Sequence, residues 1–113
     1  MTALVDRHCV HRSPEEGPLA SDQVDNYLQE VPEWQIEPVD GLDTLVRAFS
    51  FKDFNAALGF AAQVGALADE EDHHPEITIE WGRAQVRWWT HTVKGLSEND
   101  FIMAAKTDQI PGG

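Results

Sequence analysis

The chain has 113 residues, enough for one domain with a modest core and too few for two. Its 20 acidic residues outnumber its 8 basic residues, and the resulting net charge of −12 disfavours direct binding to nucleic acid. Cys9 is the only cysteine, which excludes an internal disulfide, and no apolar run approaches the roughly 18 to 20 residues that span a bilayer. Because charged residues over 1–13 occupy the place of a signal's apolar region, we expect a cytoplasmic protein.

The first 20 residues differ in pattern from the rest of the chain. They mix Arg, His, Pro and Gly without hydrophobic periodicity, which predicts a loose N-terminal arm over 1–20 that lies outside the core. A single domain is expected over 21–113. Ser21 is expected to be the N-cap of a short helix near 22–30, in which apolar residues recur at helical spacing until Pro32 ends the run.

Two β-hairpins are expected, one on each side of a long helix. In the first hairpin, apolar and polar residues alternate from Trp34, Asp40-Gly41 supplies the turn, and the second strand ends near Ser50 or Phe51. In the second hairpin, Gly82-Arg83 supplies the turn between two alternating strands.

Two further helices complete the predicted fold. Asp53 caps the long helix, expected over about 54–70, and Ser97 with Asp100 forms a capping box that begins a closing helix. The predicted buried faces are Phe54, Leu58, Ala61, Val64 and Ala68 on the long helix and Phe101, Ala104 and Ala105 on the closing helix. The order helix, two strands, helix, two strands, helix favours an α+β fold, a four-stranded antiparallel sheet with three helices packed on one face.

The residues that can carry chemistry are concentrated in the second half of the chain, beginning with the run from Asp69 to Pro75. Pro75 disfavours helical backbone at His74, which is therefore expected to project from an extended segment just after the long helix. Imidazole titrates near neutrality, so the adjacent His73 and His74 can supply a proton donor and an acceptor. This predicts a small-molecule acid–base enzyme, with two ordinary surface histidines as the alternative.

Each further candidate residue has a structural alternative. His91 is expected near the end of a strand, on the face of Arg87 and Trp89, where it could be simply an exposed residue. Asp100 could act only as a helix cap. The acidic run over 69–72 is typical of a solvated helix face, although four carboxylates at a helix C-terminus oppose the helix dipole.

No metal site is expected. Adjacent histidines point in different directions, and no cysteine or partner at a fixed spacing accompanies His73 and His74. His8, Cys9 and His11 are of the ligand types, but they lie on the arm without a preorganised element and would bind metal only incidentally. Cys9 is for the same reason a weak candidate nucleophile.

The spacing of these residues resembles the signature of the pterin-4a-carbinolamine dehydratases. It reads Asp69-x3-His73-His74-Pro75-x5-Trp81-x9-His91-x8-Asp100, and the similarity extends over about residues 20–108. The Trp88-Trp89 pair and the segment from Asn99 to Ala105 resemble the bacterial branch of the family, which accompanies phenylalanine hydroxylase. Arg12 is a departure, since many bacterial relatives have a second cysteine there.

This resemblance implies a hydro-lyase that removes water from 4a-hydroxytetrahydrobiopterin and gives quinonoid dihydrobiopterin. The site residues would be the catalytic His73, His74, His91 and Asp100 and the substrate-binding Pro75, Glu76 and Trp81. His74 would be the principal acid–base residue, His73 and His91 would assist at the 4a-hydroxyl, and Asp100 would orient an imidazole. The pterin is the substrate, so no cofactor is expected.

The resemblance also implies partners and a rival function. Family members have the α+β sandwich fold and form homodimers or homotetramers, and the bacterial branch is functionally associated with phenylalanine hydroxylase. The rival is a non-catalytic binding protein, either a dimerisation partner of a transcription factor or a Rubisco assembly factor. Because every motif position is filled in this chain, the enzyme is the favoured reading.

Overall fold

The computed structural model describes residues 3–111, which form an antiparallel four-stranded sheet and three α-helices. The elements are α1 (Ser21–Leu28), β1 (Gln35–Val39), β2 (Leu42–Ser50), α2 (Phe54–Glu71), β3 (Glu76–Glu80), β4 (Arg83–Trp88) and α3 (Glu98–Asp108). Short 3-10 helices lie at Leu4–Asp6, Pro14–Glu16 and His91–Val93. The strand order is β1-β2-β4-β3, with α2 and α3 against the sheet and α1 against α3, so the predicted α+β class and element order are confirmed.

Both hairpins form as predicted, with one shift in a turn. Asp40 and Gly41 both have positive φ, at 52° and 83°, which matches the tight turn whose twist suits a hairpin. In the second hairpin the turn residues are Trp81-Gly82, because Arg83 already pairs with Glu80; the predicted turn at Gly82-Arg83 was therefore one residue late.

The helix starts follow their capping residues, with one correction. The Asp53 carboxylate accepts from the Ala56 N–H at 2.8 Å at the start of α2, and the Ser97 N–H donates to Asp100 at 2.9 Å at the start of α3. The prediction of Ser21 as an N-cap was wrong, because Ser21 is the first helical residue and Ala20 precedes the helix.

The buried face of α2 is rotated from the predicted one. Phe60 packs against Phe49 with ring centroids 4.6 Å apart, and the stripe it belongs to (Ala57, Phe60, Ala61, Val64 and Ala68) forms the helix's contribution to the core. Leu58 lies about 100° around the helix from the centre of this stripe, and Phe54 lies about 60° from it in the first turn. Both are exposed, so their predicted burial was wrong. On α3, Phe101 and Ala104 are buried as predicted, whereas Ala105 is only half-buried.

The N-terminal arm is packed against the domain. Leu4 is buried in the core, and Lys106 on α3 donates to the Val5 carbonyl at 2.9 Å. Further along, the Leu19 N–H donates to the Leu96 carbonyl at 2.9 Å. The prediction that the arm lies outside the core was therefore wrong at Leu4; the division into 1–20 and 21–113 stays a prediction, and residues 1 and 2 fall outside the described range.

Within residues 3–111, no helix combines the length and the apolar character that crossing a bilayer requires.

Candidate active site

An open cavity of about 360 Å³ lies where the N-terminal arm passes the end of α2 and the start of α3. Its walls come from three parts of the chain, namely residues 9–12 of the arm, residues 71–74 at and after the end of α2, and residues 90–92 with Asn99. The volume falls in the range of roughly 300 to 1,000 Å³ that is usual for small-molecule sites. His73, His74 and His91 all line it, so the structure brings together the three histidines that the sequence singled out.

His73 is held rigidly by a buried carboxylate. Its Nε2 lies 2.7 Å from Oδ1 of Asp100, whose side chain is 0% exposed, against 12% for His73. Oδ2 of Asp100 accepts from the Thr90 hydroxyl at 2.8 Å and from the Ser97 N–H at 2.9 Å. Because a carboxylate can only accept, Nε2 of His73 donates to it, and in the neutral form of the ring Nδ1 is the nitrogen left as the acceptor. The capping and orienting interpretations of Asp100 therefore describe the same side chain.

The ring of His73 is also fixed on one face. It stacks on the buried indole of Trp88 with centroids 5.8 Å apart and an interplanar angle of 10°. A ring that is hydrogen-bonded at its edge and stacked on its face keeps one orientation, which is what a positioned acid–base group needs.

His74 has a carboxylate partner of a different kind. Its Nε2 lies 2.9 Å from Oδ1 of Asp69, but the two side chains are 58% and 82% exposed. An exposed pair of this kind gains little net energy, so the His74 ring remains free to reorient. His74 lies in the short link between α2 and β3. Asp72 ends α2 in the left-handed conformation, at φ 52°, and the link follows it.

His91 reaches the cavity by a route that the sequence did not predict. Strand β4 ends at Trp88, Thr90 pairs with Gly95 as an isolated bridge, and His91 begins a 3-10 helix over His91–Val93. Its predicted place on a strand face was therefore wrong. The exposed imidazole contacts the ring of Trp89, with centroids 4.8 Å apart.

Glu71 is a site residue that sequence reasoning missed. The acidic run was read as solvated, yet the Glu71 carboxylate is buried, accepts from the Cys9 N–H at 2.9 Å and lies 2.8 Å from His8 Nδ1. Burial favours a higher pKa for Glu71, but the Cys9 N–H, His8 and Lys106 outweigh it and hold the pKa below its ordinary value. The signal was present in the sequence, because carboxylates at a helix C-terminus oppose the dipole and need another partner.

Asn99 is a further cavity residue that sequence reasoning missed, and its backbone carbonyl contacts Cys9, which the sequence offered only as an incidental metal ligand or weak nucleophile. Asn99 is buried and bonds to the backbone of Val10, and Cys9 is half-buried beside them. Burial, together with the carboxylates of Glu71 and Asp100, raises the pKa of Cys9 to about 12, so the thiolate is scarce at neutral pH. Among residues 3–111, no three His, Cys, Asp or Glu side chains form a cluster suited to a metal ion.

The three residues assigned to substrate binding are spread along one strand. Pro75 directly follows His74, and Glu76 begins β3 with its carboxylate 3.4 Å from Nε of Arg87. Trp81 lies beyond the other end of β3, about 16 Å along the strand, and is 74% exposed in the turn. These side chains are outside the lining of the cavity as the described residues form it. Their contact with substrate stays a prediction.

The element order defines an α+β protein, and three imidazoles converge on one cavity of a size that suits a small molecule. Residues 17–110 match the sequence profile of the family described as pterin 4 alpha carbinolamine dehydratase. The chain therefore belongs to this family, and the resemblance drawn from the motif is confirmed.

The similarity to individual relatives extends over the N-terminal arm as well. A protein of Chlorobium luteolum is 49% identical over 97% of this chain and 96% of its own length. A protein of Saccharophagus degradans is 43% identical over the full length of both chains. Both bear the name pterin-4-alpha-carbinolamine dehydratase as a provisional assignment.

Two solved structures share the fold. One is titled as a transcriptional coactivator/pterin dehydratase from Brucella melitensis; it has a TM-score of 0.75 and 37% identity, and covers 86% of this chain and 100% of its own. The other is titled as a pterin dehydratase-like protein that is a RuBisCO assembly factor in the alpha-carboxysome. With 21% identity, a TM-score of 0.56 and coverage of 67% and 86%, it bears on the fold alone.

Proposed function

We propose that the protein dehydrates 4a-hydroxytetrahydrobiopterin to quinonoid dihydrobiopterin. The observation that carries this proposal is the convergence of three histidines on one cavity, with His73 fixed by the buried Asp100, in a chain of the dehydratase family. The reaction class requires an acid and a base in the same site, and imidazole can serve as either near neutral pH.

The elimination places a clear demand on these groups. The C4a–O bond breaks as the 4a-hydroxyl gains a proton and leaves as water. N5 loses its proton, and the electrons of the N5–H bond form the C4a–N5 double bond. One positioned group must therefore deliver a proton on the oxygen side while another accepts one at N5.

The proposed roles follow the carboxylate partners. His74 is the principal acid–base residue, and its exposed, reorientable ring suits proton exchange with solvent between turnovers. His73, whose free nitrogen is Nδ1, and the exposed His91 act at the 4a-hydroxyl. Asp100 is a positioning residue, since it acts through His73. Pro75, Glu76 and Trp81 remain the proposed contacts of the pterin.

The wider setting is part of the same proposal. The protein would act in the cytoplasm as a homodimer or homotetramer and would recycle the pterin used by phenylalanine hydroxylase. The rival is a purely binding role. One of the two solved structures is titled as a coactivator and a pterin dehydratase together, and the other, titled as an assembly factor, bears on the fold alone. The motif is complete and its three histidines line one cavity, which favours catalysis, so no second function is proposed.

The test is stopped-flow loss of 4a-hydroxytetrahydrobiopterin, generated in situ by a phenylalanine hydroxylase. We expect acceleration by the wild-type protein, and turnover lower by about 10² to 10⁴ for His74→Ala, the usual contribution of a positioned acid or base. Glu70→Ala is the matched control, since it removes an exposed side chain of the same segment that does not line the cavity.

Two outcomes would contradict the proposal. A folded wild-type protein that leaves the uncatalysed rate unchanged would exclude the activity. Near-normal turnover by His74→Ala would leave the activity in place and remove the principal role from His74.

A further inference from the structure

The walls of the cavity differ in origin, and one of them has no assigned role. The proposed acid–base residues come from the segments after α2 and β4, whereas residues 9–12 come from the N-terminal arm, which precedes the family match at residue 17. We propose that residues 9–12 are a pterin-binding wall and that Asn99 is the positioning residue that holds this wall in place. This inference rests on the proposed function.

The Asn99 side chain is devoted to the arm. It is 4% exposed, its Nδ2 donates to the Val10 carbonyl at 2.7 Å, and its Oδ1 accepts from the Val10 N–H at 3.2 Å. The same Oδ1 accepts from Arg12 Nε at 3.3 Å and Nη2 at 3.1 Å. A buried amide that pairs with both polar groups of one backbone unit fixes that unit much as a neighbouring strand would.

A second side chain fastens the arm one residue earlier. One oxygen of the buried Glu71 carboxylate accepts a hydrogen bond from the Cys9 N–H, and the other contacts Nδ1 of His8. Asn99 directly precedes Asp100, and Glu71 lies two residues before His73. The arm is therefore held by residues next to the proposed acid–base groups, which sets its distance from them.

The chemistry of the wall suits binding. Val10 presents an apolar side chain that is exposed, and His11 is exposed beside it. The Arg12 guanidinium is engaged by Asn99 and by Glu98 at 3.4 Å, with Glu16 at 3.9 Å. A surface that touches the substrate equally before and during the reaction lowers KM and leaves kcat unchanged. The wall should therefore govern which pterin binds and how tightly.

The first test separates KM from kcat in Asn99→Leu, a substitution of similar size that removes every side-chain bond to the arm. We expect KM for the pterin to rise about tenfold with kcat within about twofold of wild type. Tyr27→Phe is the matched control. It deletes the hydroxyl that donates to Glu98 at 2.8 Å and keeps the ring stacked on Phe101, so it perturbs a neighbour of Arg12 and leaves the Asn99 bonds to Val10 in place.

The second test uses Cys9, the only cysteine of the chain, as a reporter on the wall. Labelling by an aromatic disulfide should be about tenfold faster in Asn99→Leu than in wild type, because the arm then opens more often. Addition of 7,8-dihydrobiopterin should slow the labelling of the wild-type protein, since a pterin against the wall covers the thiol.

The outcomes of the two tests separate the inference from the proposed function. Protection of Cys9 by the pterin in a protein without dehydratase activity would retain the binding wall and reject the enzyme. An active wild type whose Asn99→Leu variant keeps its KM, or loses only kcat through Asp100, would overturn the inference. Lower thermal stability with unchanged KM and unchanged Cys9 labelling would also overturn it.

Discussion

Two adjacent histidines form imidazole–carboxylate pairs of nearly the same length, and these pairs differ in almost everything else. His73 and Asp100 are 2.7 Å apart with side chains 12% and 0% exposed, whereas His74 and Asp69 are 2.9 Å apart and 58% and 82% exposed. Contact distance therefore says little about what a pair does. Burial and the remaining hydrogen bonds of the carboxylate decide whether the imidazole is fixed or free.

The difference has a structural cause. Asp100 lies in the first turn of α3, where the Ser97 N–H and the Thr90 hydroxyl bind its second oxygen. Asp69 lies on the exposed side of the last turn of α2. A third pair, His8 with Glu71, lies between these extremes, because its carboxylate is buried and its imidazole is exposed. The three carboxylates should therefore differ in what their removal costs.

The largest effect is expected at Asp100. Asp100→Ala removes the acceptor shared by His73, the buried Thr90 hydroxyl and the buried Ser97 N–H, and it should lower the free energy of unfolding by about 3 kcal/mol, measured by urea denaturation. Asp100→Asn keeps the shape but places an amide where an acceptor stood, either at His73 or at the Ser97 and Thr90 donors. We expect it to fold and to lose kcat, with KM little changed, because the orientation of His73 is lost.

The two Asp100 variants separate positioning from capping. If Asp100 is only a cap, Asp100→Asn will retain kcat while both variants lose stability. Restoration of part of the lost kcat by Asp100→Glu, at unchanged stability relative to Asp100→Asn, would support the positioning role.

An intermediate effect is expected at Glu71. Its pKa is held below the ordinary value of 4.5, so the native state binds fewer protons than the unfolded state in acid. This contribution to stability is fully present above pH 4.5 and is lost as the pH falls through the folded-state pKa. Glu71→Gln should unfold about 1 kcal/mol more easily at pH 7, and the difference from wild type should shrink on acidification.

The measurement is a set of urea unfolding curves for the wild type and Glu71→Gln, from pH 7 to below pH 4.5. A difference in the free energy of unfolding that stays constant down to the lowest pH would mean that the charge of the Glu71 carboxylate does not contribute to stability. Lys106→Met removes the ammonium group 3.9 Å from the Glu71 carboxylate. The free energy of unfolding of this variant should therefore depend less on pH than that of the wild type.

The smallest effect is expected at Asp69. Both partners of this pair are exposed, so Asp69→Ala should change the free energy of unfolding by less than about 0.5 kcal/mol and turnover by less than about threefold. Equal losses of turnover in Asp69→Ala and Asp100→Asn would mean that the two carboxylates orient their imidazoles equally, which would remove the contrast between them.

The features predictable from the sequence are those written in neighbouring residues. The hairpins, the Asp53 cap and the capping box at Ser97 and Asp100 follow from local spacing, and all are present. The pairing of Asp100 with His73 bridges 27 positions. The sequence predicted that Asp100 would orient an imidazole but not which histidine carries it.

The missed features depend on contacts between distant parts of the chain. Asn99 meets Val10 across 89 positions, and Glu71 meets Cys9 across 62. An arm without periodicity carries no signal for such contacts, because its order comes from the side chains of the domain it crosses. The choice of Phe60 over Phe54 for the core likewise depends on Phe49 being opposite it.

The arm that crosses the cavity lies in front of the segment by which the family is recognised, and it carries none of the proposed acid–base residues. If residues 9–12 form the proposed pterin-binding wall, substitutions there would alter the preferred ligand and leave the proposed acid–base residues in place. In evolutionary terms, such an arrangement would let the arm adjust substrate selection without touching the residues that transform the substrate, and a domain trimmed of its arm would lose that adjustment.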